Sequence, residues 1–235
     1  MRLHAGTSGY AYKEWKGPFY PPDLPASGML SFYAQHFSTV EINSTFYRLP
    51  TEETLRQWAE TVPEEFTFAF KAPQVITHRK RLREAEEPTK RFFEVTASLN
   101  GRLGPVLFQL PPNFKKDLPR LEAFLEQVPE DARVAFGFRH PSWFDDELFA
   151  LLREHRRPLC VEDDAQGTTP LVRTAEWGYL RLRANAYEDA DLQDWLERIA
   201  AQEWSDAFVY FMHEDTGTGP RFARRLNEIF QEGPR

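Results

Sequence analysis

Apolar residues recur along this chain with two periods, and the two alternate from one end to the other. Short runs rich in Val, Phe and Leu, bounded by Gly, Pro or charged turns, predict eight strands. They lie at Leu3–Thr7, Thr39–Asn43, Phe66–Lys71, Val106–Leu110, Arg133–Arg139, Leu159–Asp163, Tyr179–Arg183 and Phe208–His213. Between them apolar residues return at helical spacing, as in Leu30, Tyr33, Ala34 and Phe37, or Leu118, Leu121 and Leu125. The same spacing recurs in Leu148, Leu151 and Leu152, in Leu192, Trp195, Leu196 and Ile199, and in Phe222, Leu226, Ile229 and Phe230. The connector Asp164–Trp177 has the weakest helical pattern, so an irregular crossover is expected between strands six and seven. Eight strands with intervening helices imply an α/β fold with a parallel sheet, most simply a single (β/α)8 TIM-barrel-like domain over residues 1–235. A doubly wound open sheet is the alternative, but Gly6-Thr7-Ser8-Gly9 lacks the spacing of a dinucleotide-binding turn.

Side chains alternate across a strand, so parity separates positions facing the helices from those facing the barrel interior. If Val40 and Ile42 pack on helices, Glu41 and Asn43 point inward. If Phe66, Phe68 and Phe70 do, then Thr67, Ala69 and Lys71 point inward. The same rule turns Leu107 and Gln109 in, and Ala135, Gly137 and Arg139. On the seventh strand it turns Tyr179, Arg181 and Arg183 in, with Leu180 and Leu182 out. The polar members sit at the C-terminal ends of their strands, the face on which TIM-barrel enzymes build their sites.

Composition narrows the class. The 235 residues are 41% hydrophobic and 28% charged, which excludes disorder. Charge stands at −7 from 29 Lys+Arg and 36 Asp+Glu, which argues against a nonspecific nucleic-acid coat. One cysteine, Cys160, excludes a disulfide framework and a multi-cysteine zinc site. No apolar stretch approaches a membrane span and no leader pattern opens the chain, so no membrane association and a cytoplasmic address are expected. P-loop, His-Glu-x-x-His and Gly-x-Ser-x-Gly motifs are missing. Against this acidic background the strand ends gather Lys71, Arg139, Arg181 and Arg183 around Glu41 and Asp163, a cationic mouth. Such charges either pair as structural bridges, Glu41 with Lys71 and Asp163 with an arginine, or await an anion.

Other positions bear on the site. Thr216-Gly217-Thr218-Gly219-Pro220 opens the last helical stretch with Thr218 or Gly219 as N-cap, where backbone N–H groups could receive a phosphate or simply start a helix. His78, His140 and His213 fall in or beside strand-end loops. With Glu41 and Asp163 they could meet around a metal, but no two have local ligand spacing, so no metal ligand and no cofactor is assigned. Tyr10, Tyr12, Trp15, Phe19 and Tyr20 crowd the first loop, either to stack on a ligand or to fold that loop onto the barrel.

Several local runs resemble the YecE-like family, a domain of unknown function. They are Gly6-Thr7-Ser8-Gly9-Tyr10, Phe19-Tyr20-Pro21, Thr39-Val40-Glu41-Ile42-Asn43-Ser44-Thr45-Phe46-Tyr47, Phe70-Lys71-Ala72-Pro73, Thr77-His78, Gln109-Leu110-Pro111-Pro112 and Phe138-Arg139-His140-Pro141-Ser142-Trp143. The resemblance implies a TIM-barrel-like fold and no established activity. Two positions depart from it: Gly137 stands where the family pattern has Glu, and Arg183-Ala184 where it often has His-Gly.

The expectation is an enzyme acting on a phosphorylated or carboxylated small molecule, a sugar derivative among the candidates. Arg139, Arg181 and Arg183 would hold the anion, with Asn43, Gln109, Asp163, Thr218 and Gly219 lining the site. Glu41, Lys71 and His140 would move protons. The alternatives are a metal-dependent phosphodiesterase or endonuclease, with nucleic acid as partner, and a binding module that senses an anion without turnover.

Overall fold

The computed structural model describes residues 1–165 and 167–233. Gln166, inside the predicted connector, and Pro234 and Arg235, at the end of the predicted domain, lie outside them. The eight predicted strands are present as β1 (Arg2–Ser8), β2 (Thr39–Ile42), β3 (Thr67–Lys71), β4 (Leu103–Gln109), β5 (Val134–Gly137), β6 (Cys160–Asp164), β8 (Trp177–Leu182) and β9 (Asp206–Phe211). A two-residue strand, β7 (Gly167–Thr168), adds to them. Together they form one curled nine-stranded sheet ordered β5-β4-β3-β2-β1-β9-β8-β6-β7. Every pairing is parallel except β6 with β7. The curl brings β5 round to β6, where the bridge Phe136–Leu159 and the Phe136 N–H donating to Pro158 O (3.0 Å) join the two strands. A complete ladder at that seam is not formed.

Helices α1 (Met29–Ala34), α2 (Glu52–Thr61), α3 (Glu86–Thr96), α4 (Leu118–Leu125), α5 (Asp146–Glu154), α6 (Asp189–Ala200) and α7 (Thr218–Glu232) connect the strands. The apolar spacing did not mark α2 and α3, because each shows the core only a thin stripe. Helix α2 buries Leu55 and Ala59, and α3 buries Phe92 and Val95 with two threonines. Between β6 and β8 no helix occurs among the described residues. There Thr168 and Thr169 fold back on β6, the Thr169 N–H donating to Glu162 O at 2.9 Å. No described helix is long and apolar enough to cross a membrane.

The sheet divides the apolar residues as parity requires. Val40, Ile42, Phe66, Phe68, Phe70, Leu180 and Leu182 join the outer core against the helices. Ala69, Leu107, Ala135, Cys160, Tyr179, Phe208 and Tyr210 form a separate inner cluster within the curl. Small residues on β3, β5 and β6 leave the space that the Tyr179, Tyr210 and Phe208 rings fill, so the interior is packed rather than open. Below it, Asp206 accepts from Arg2 (3.1 Å) and bonds the His4 ring (3.0 Å) at the N-terminal end of the strands. Strand β4 carries one extra residue between its pairings to Phe68 and Phe70. Pro105, which has no N–H to give a ladder, falls in that bulge.

Glycine is required at Gly6 by close approach. A Cβ there would lie 2.3 Å from Thr39 O and 3.0 Å from the Tyr33 hydroxyl, which itself receives the Thr7 N–H (2.9 Å). The obstacle is backbone and cannot rotate away. Gly6→Ala should therefore cost about 1–3 kcal/mol in chemical denaturation, and an unchanged midpoint would show that β1 and β2 are looser than drawn.

Candidate functional site

The strand ends carry a buried charge cluster organised by Arg181. Strand register places Arg181 of β8 opposite Glu162 of β6, with Cys160 opposite Tyr179 one step below. The guanidinium reaches two carboxylates. Its Nε and Nη2 meet Glu41 Oε1 and Oε2 at 2.9 and 3.1 Å, and its Nη1 meets Glu162 Oε1 at 2.9 Å. Arg181 is 2% exposed, Glu41 0% and Glu162 5%, so water screens none of them.

Both carboxylates are further satisfied, as buried charges must be. Glu41 accepts from the Ser8 hydroxyl, the Tyr179 hydroxyl (2.7 Å) and Asn43 Nδ2 (3.3 Å). Asn43 also donates to Ser8 Oγ (2.8 Å) and offers its Oδ1 to Arg181 (3.4 Å). Glu162 accepts from the Gln109 side chain. Burial alone would raise the Glu41 carboxyl, but Arg181, Ser8 and Tyr179 outweigh it and hold it below the ordinary value. Burial likewise opposes the Arg181 charge, and the two carboxylates raise its affinity for the proton well above normal.

Three further cations stand above this floor. Arg139 Nε and Arg183 Nη1 each lie 4.0 Å from Glu162, with side chains 36% and 26% exposed. Lys71 ends β3, its carbonyl held by the Thr45 hydroxyl at 2.7 Å, and its Nζ sits 4.5 Å over the Phe46 ring. Burial first and the Arg181 charge next lower the Lys71 amine to about 8, while Glu41 and Glu162 oppose the shift only in part. His78 lies on a π-helical turn, Val75–Arg79, with its ring edge-on to Phe46 at 4.7 Å. Burial, then Lys71 and Arg139, lower its imidazole.

The sequence-derived site is thus brought together in part. Glu41, Asn43 and Arg181 are joined by direct bonds, Gln109 joins them through Glu162, and Lys71, Arg139 and Arg183 rise around them. Five residues depart from the expected arrangement. Glu41 and Lys71 are not an ion pair, because Arg181 takes both Glu41 oxygens. Asp163 faces away, accepting from the Tyr187 hydroxyl (2.7 Å) and the Thr168 hydroxyl (2.6 Å). His140 turns its Nδ1 onto Ser142, bonding the N–H at 3.2 Å and the hydroxyl at 2.8 Å, and so caps the turn Pro141–Trp143. His213 is a strut, its Nε2 2.6 Å from Ala184 O.

The start of α7 also differs. The cap position belongs to Gly217 (φ 74°), one residue before the predicted cap. The Thr218 N–H is spent on Asp215 O (3.0 Å), Pro220 has none, and the Arg221 N–H closes on Gly217 O (3.2 Å). Gly219 packs under His213 O and Thr7. Little of that helix start is left for a phosphate.

Glu162 was missed, yet parity marks it. Leu159 and Val161 pack outward, so Asp163 shares their side and Glu162 the opposite one. Gly137 lies next to the residue that serves Glu162. Gln109 fills the space beside Gly137, where a Cβ would touch its Cγ at 3.4 Å, and delivers its amide to Glu162. Among the described residues no three His, Cys, Asp or Glu side chains stand together as a metal-ligand set. A concavity of about 640 Å³ lies between α6, α7 and the first loop, lined by Phe19, Tyr187, Arg221 and Arg225, apart from this cluster.

Comparison with known proteins supports a single grouping. Residues 4–235 match the family described as "Protein of unknown function DUF72". The UPF0759 protein YecE of Escherichia coli K12 is 36% identical over 49% of this chain and 43% of its own length, so the match spans less than half of that relative. The UPF0759 protein YunF of Bacillus subtilis is 24% identical over 97% of this chain and 94% of its own. Among solved structures, the DUF72 family protein TM1631 of Thermotoga maritima superposes with a TM-score of 0.84 at 26% identity, covering 98% of this chain and 100% of its own. The DUF72 family protein EF0366 of Enterococcus faecalis, at 19% identity and TM-score 0.77 over 98% of each chain, shares the fold.

The geometry separates the stability roles of Glu41 and Lys71. Glu41→Gln strands half of the Arg181 charge in a dry site and should cost about 3–5 kcal/mol. Because its folded pKa is depressed, the Glu41 contribution is full above the unfolded value near ~4.3 and fades as pH falls through the lower folded value. Lys71 changes stability in the same direction but in a higher pH window, and there it is the charged form that the fold disfavours. Between about 8 and its unfolded value near ~10.4 the unfolded chain binds more protons, so this group adds stability as pH rises. Lys71→Met should melt no lower than the parent at pH 7. Equal losses in both variants would contradict this division.

Proposed function

The chain belongs to the family described as protein of unknown function DUF72, and we propose that its strand-end cluster is an enzyme site for an anionic, phosphorylated or carboxylated small molecule, such as a sugar derivative. The curled sheet works in this reading as a single (β/α)8-type barrel, with the β5–β6 seam in its wall and the cluster in its mouth. One observation carries the proposal. Arg181 consumes both buried carboxylates, and Lys71, Arg139 and Arg183 are left grouped above them. The floor of two carboxylates and one guanidinium carries −1, while three rim cations fully protonated carry +3. That surplus in a chain of net charge −7 suits an anion.

Each group then has a distinct task. Arg139 and Arg183, part-exposed and more than hydrogen-bond distance from Glu162, hold the anion. Lys71, whose amine releases its proton near neutral pH, exchanges protons with the bound molecule, and His78 stands beside it as the second carrier. Glu41, Asn43, Ser8 and Gln109 position Arg181 and Glu162 beneath the ligand.

Inorganic phosphate should raise the melting temperature of the parent, since a ligand bound only by the folded state stabilises it by mass action. Arg139→Ala should lose most of that rise while melting normally without phosphate. An equal phosphate response in the variant would move the anion site elsewhere on the surface.

A further inference from the structure

We propose that Lys71 is a nucleophilic amine that captures the carbonyl carbon of an anionic aldehyde or ketone as an imine. The inference rests on the anion site proposed above and names the chemistry of its substrate.

Lysine is a poor nucleophile while protonated, and the surroundings of this lysine loosen the proton. Among the described residues no carboxylate oxygen lies within 4.0 Å of its Nζ, because Glu41 and Glu162 are turned to Arg181. The Phe46 ring at 4.5 Å covers one side of the amine and displaces water from it, and its attraction for the cation offsets part of that effect. Arg181 and Arg139 place positive charge nearby, and burial adds to their effect. Other lysines differ. Lys116, for instance, is clamped by Asp145 and Glu147 (2.7 Å to the latter). The Lys71 main chain is fixed through Thr45, so a half-buried amine is presented at the mouth rather than swung in solvent.

The step balances without a redox partner. The Nζ lone pair attacks the carbonyl carbon and the C=O π pair moves to oxygen. That oxygen leaves as water, taking one proton from nitrogen and one from solvent, and a protonated C=N bond remains on Lys71. A second positive charge need not appear, since the ammonium it replaces was itself charged. Arg139 and Arg183 hold the phosphate or carboxylate of the same molecule, so capture favours anionic over neutral carbonyl compounds.

Glycolaldehyde phosphate with sodium cyanoborohydride, followed by proteolysis and mass spectrometry, reads the imine as a reduced adduct. At pH 7.5 an amine with a pKa of about 8 is far more neutral than an ordinary lysine, so Lys71 should be labelled roughly tenfold faster than any other lysine. Inorganic phosphate should slow that labelling, and Arg139→Ala should slow it more for glycolaldehyde phosphate than for uncharged glycolaldehyde, which feels only the lost charge beside the amine. Labelling spread evenly over the lysines, with phosphate still raising the melting temperature, would overturn the imine and leave the anion site standing. Even labelling together with no phosphate response would overturn both. Preferential labelling of Lys71 that phosphate does not slow would overturn the anionic substrate class.

Discussion

A single guanidinium, that of Arg181, decides how charge is distributed at the strand ends. It is buried on β8 between carboxylates from β2 and β6 and engages both. A buried ion pair gains little by itself, since desolvation offsets most of the attraction. Its effect here is on the neighbours. With Glu41 and Glu162 turned to Arg181, Lys71 has no carboxylate within ion-pair distance among the described residues, and Arg139 and Arg183 make long contacts to Glu162. The same bonds that stabilise the floor leave the rim cationic.

The fold makes this arrangement possible through size matching in the layer below. Ala69, Ala135 and Cys160 leave room for Tyr179 and Tyr210, and the Tyr179 hydroxyl rises out of that layer to meet Glu41. Tyr210 ties to Thr39 at 2.8 Å, closing the same layer from the side of β2. The packed interior excludes water from beneath the cluster, so the charges act at full strength on one another and on whatever approaches from above. Gln109 and Gly137 form one unit in this layer. Gln109 packs its Cβ and Cγ beside Gly137 and donates its amide to Glu162.

Parity along short strands made much of this legible from residues alone. Val40 and Ile42 packing outward force Glu41 inward, and Phe66, Phe68 and Phe70 do the same for Lys71. Pairing partners were not legible, because parity gives a side chain's face and not its reach. Glu41 looks toward Lys71 on the neighbouring strand, yet the longer Arg181, with its forked donors, takes it from across the curl. Glu162 was hidden by the acidic run Glu162-Asp163-Asp164, in which strand end and turn look alike, although Val161 fixes the face. His140 stands next to Arg139 in sequence, but an extended backbone sends adjacent side chains apart, and its ring serves a turn. Helices α2 and α3 were invisible for a different reason: their buried faces are too narrow to register as a stripe.

The central claim is that Arg181, by holding both carboxylates, leaves Lys71 an amine that gives up its proton near neutrality. The direct test is a pH titration of the Lys71 side chain by carbon-13 NMR, with the resonance assigned by its loss in Lys71→Met. The account predicts a midpoint of about 8, well separated from the other lysines. A midpoint near ~10.4, the value of an ordinary lysine, would mean that the amine is paired or fully hydrated and would contradict it.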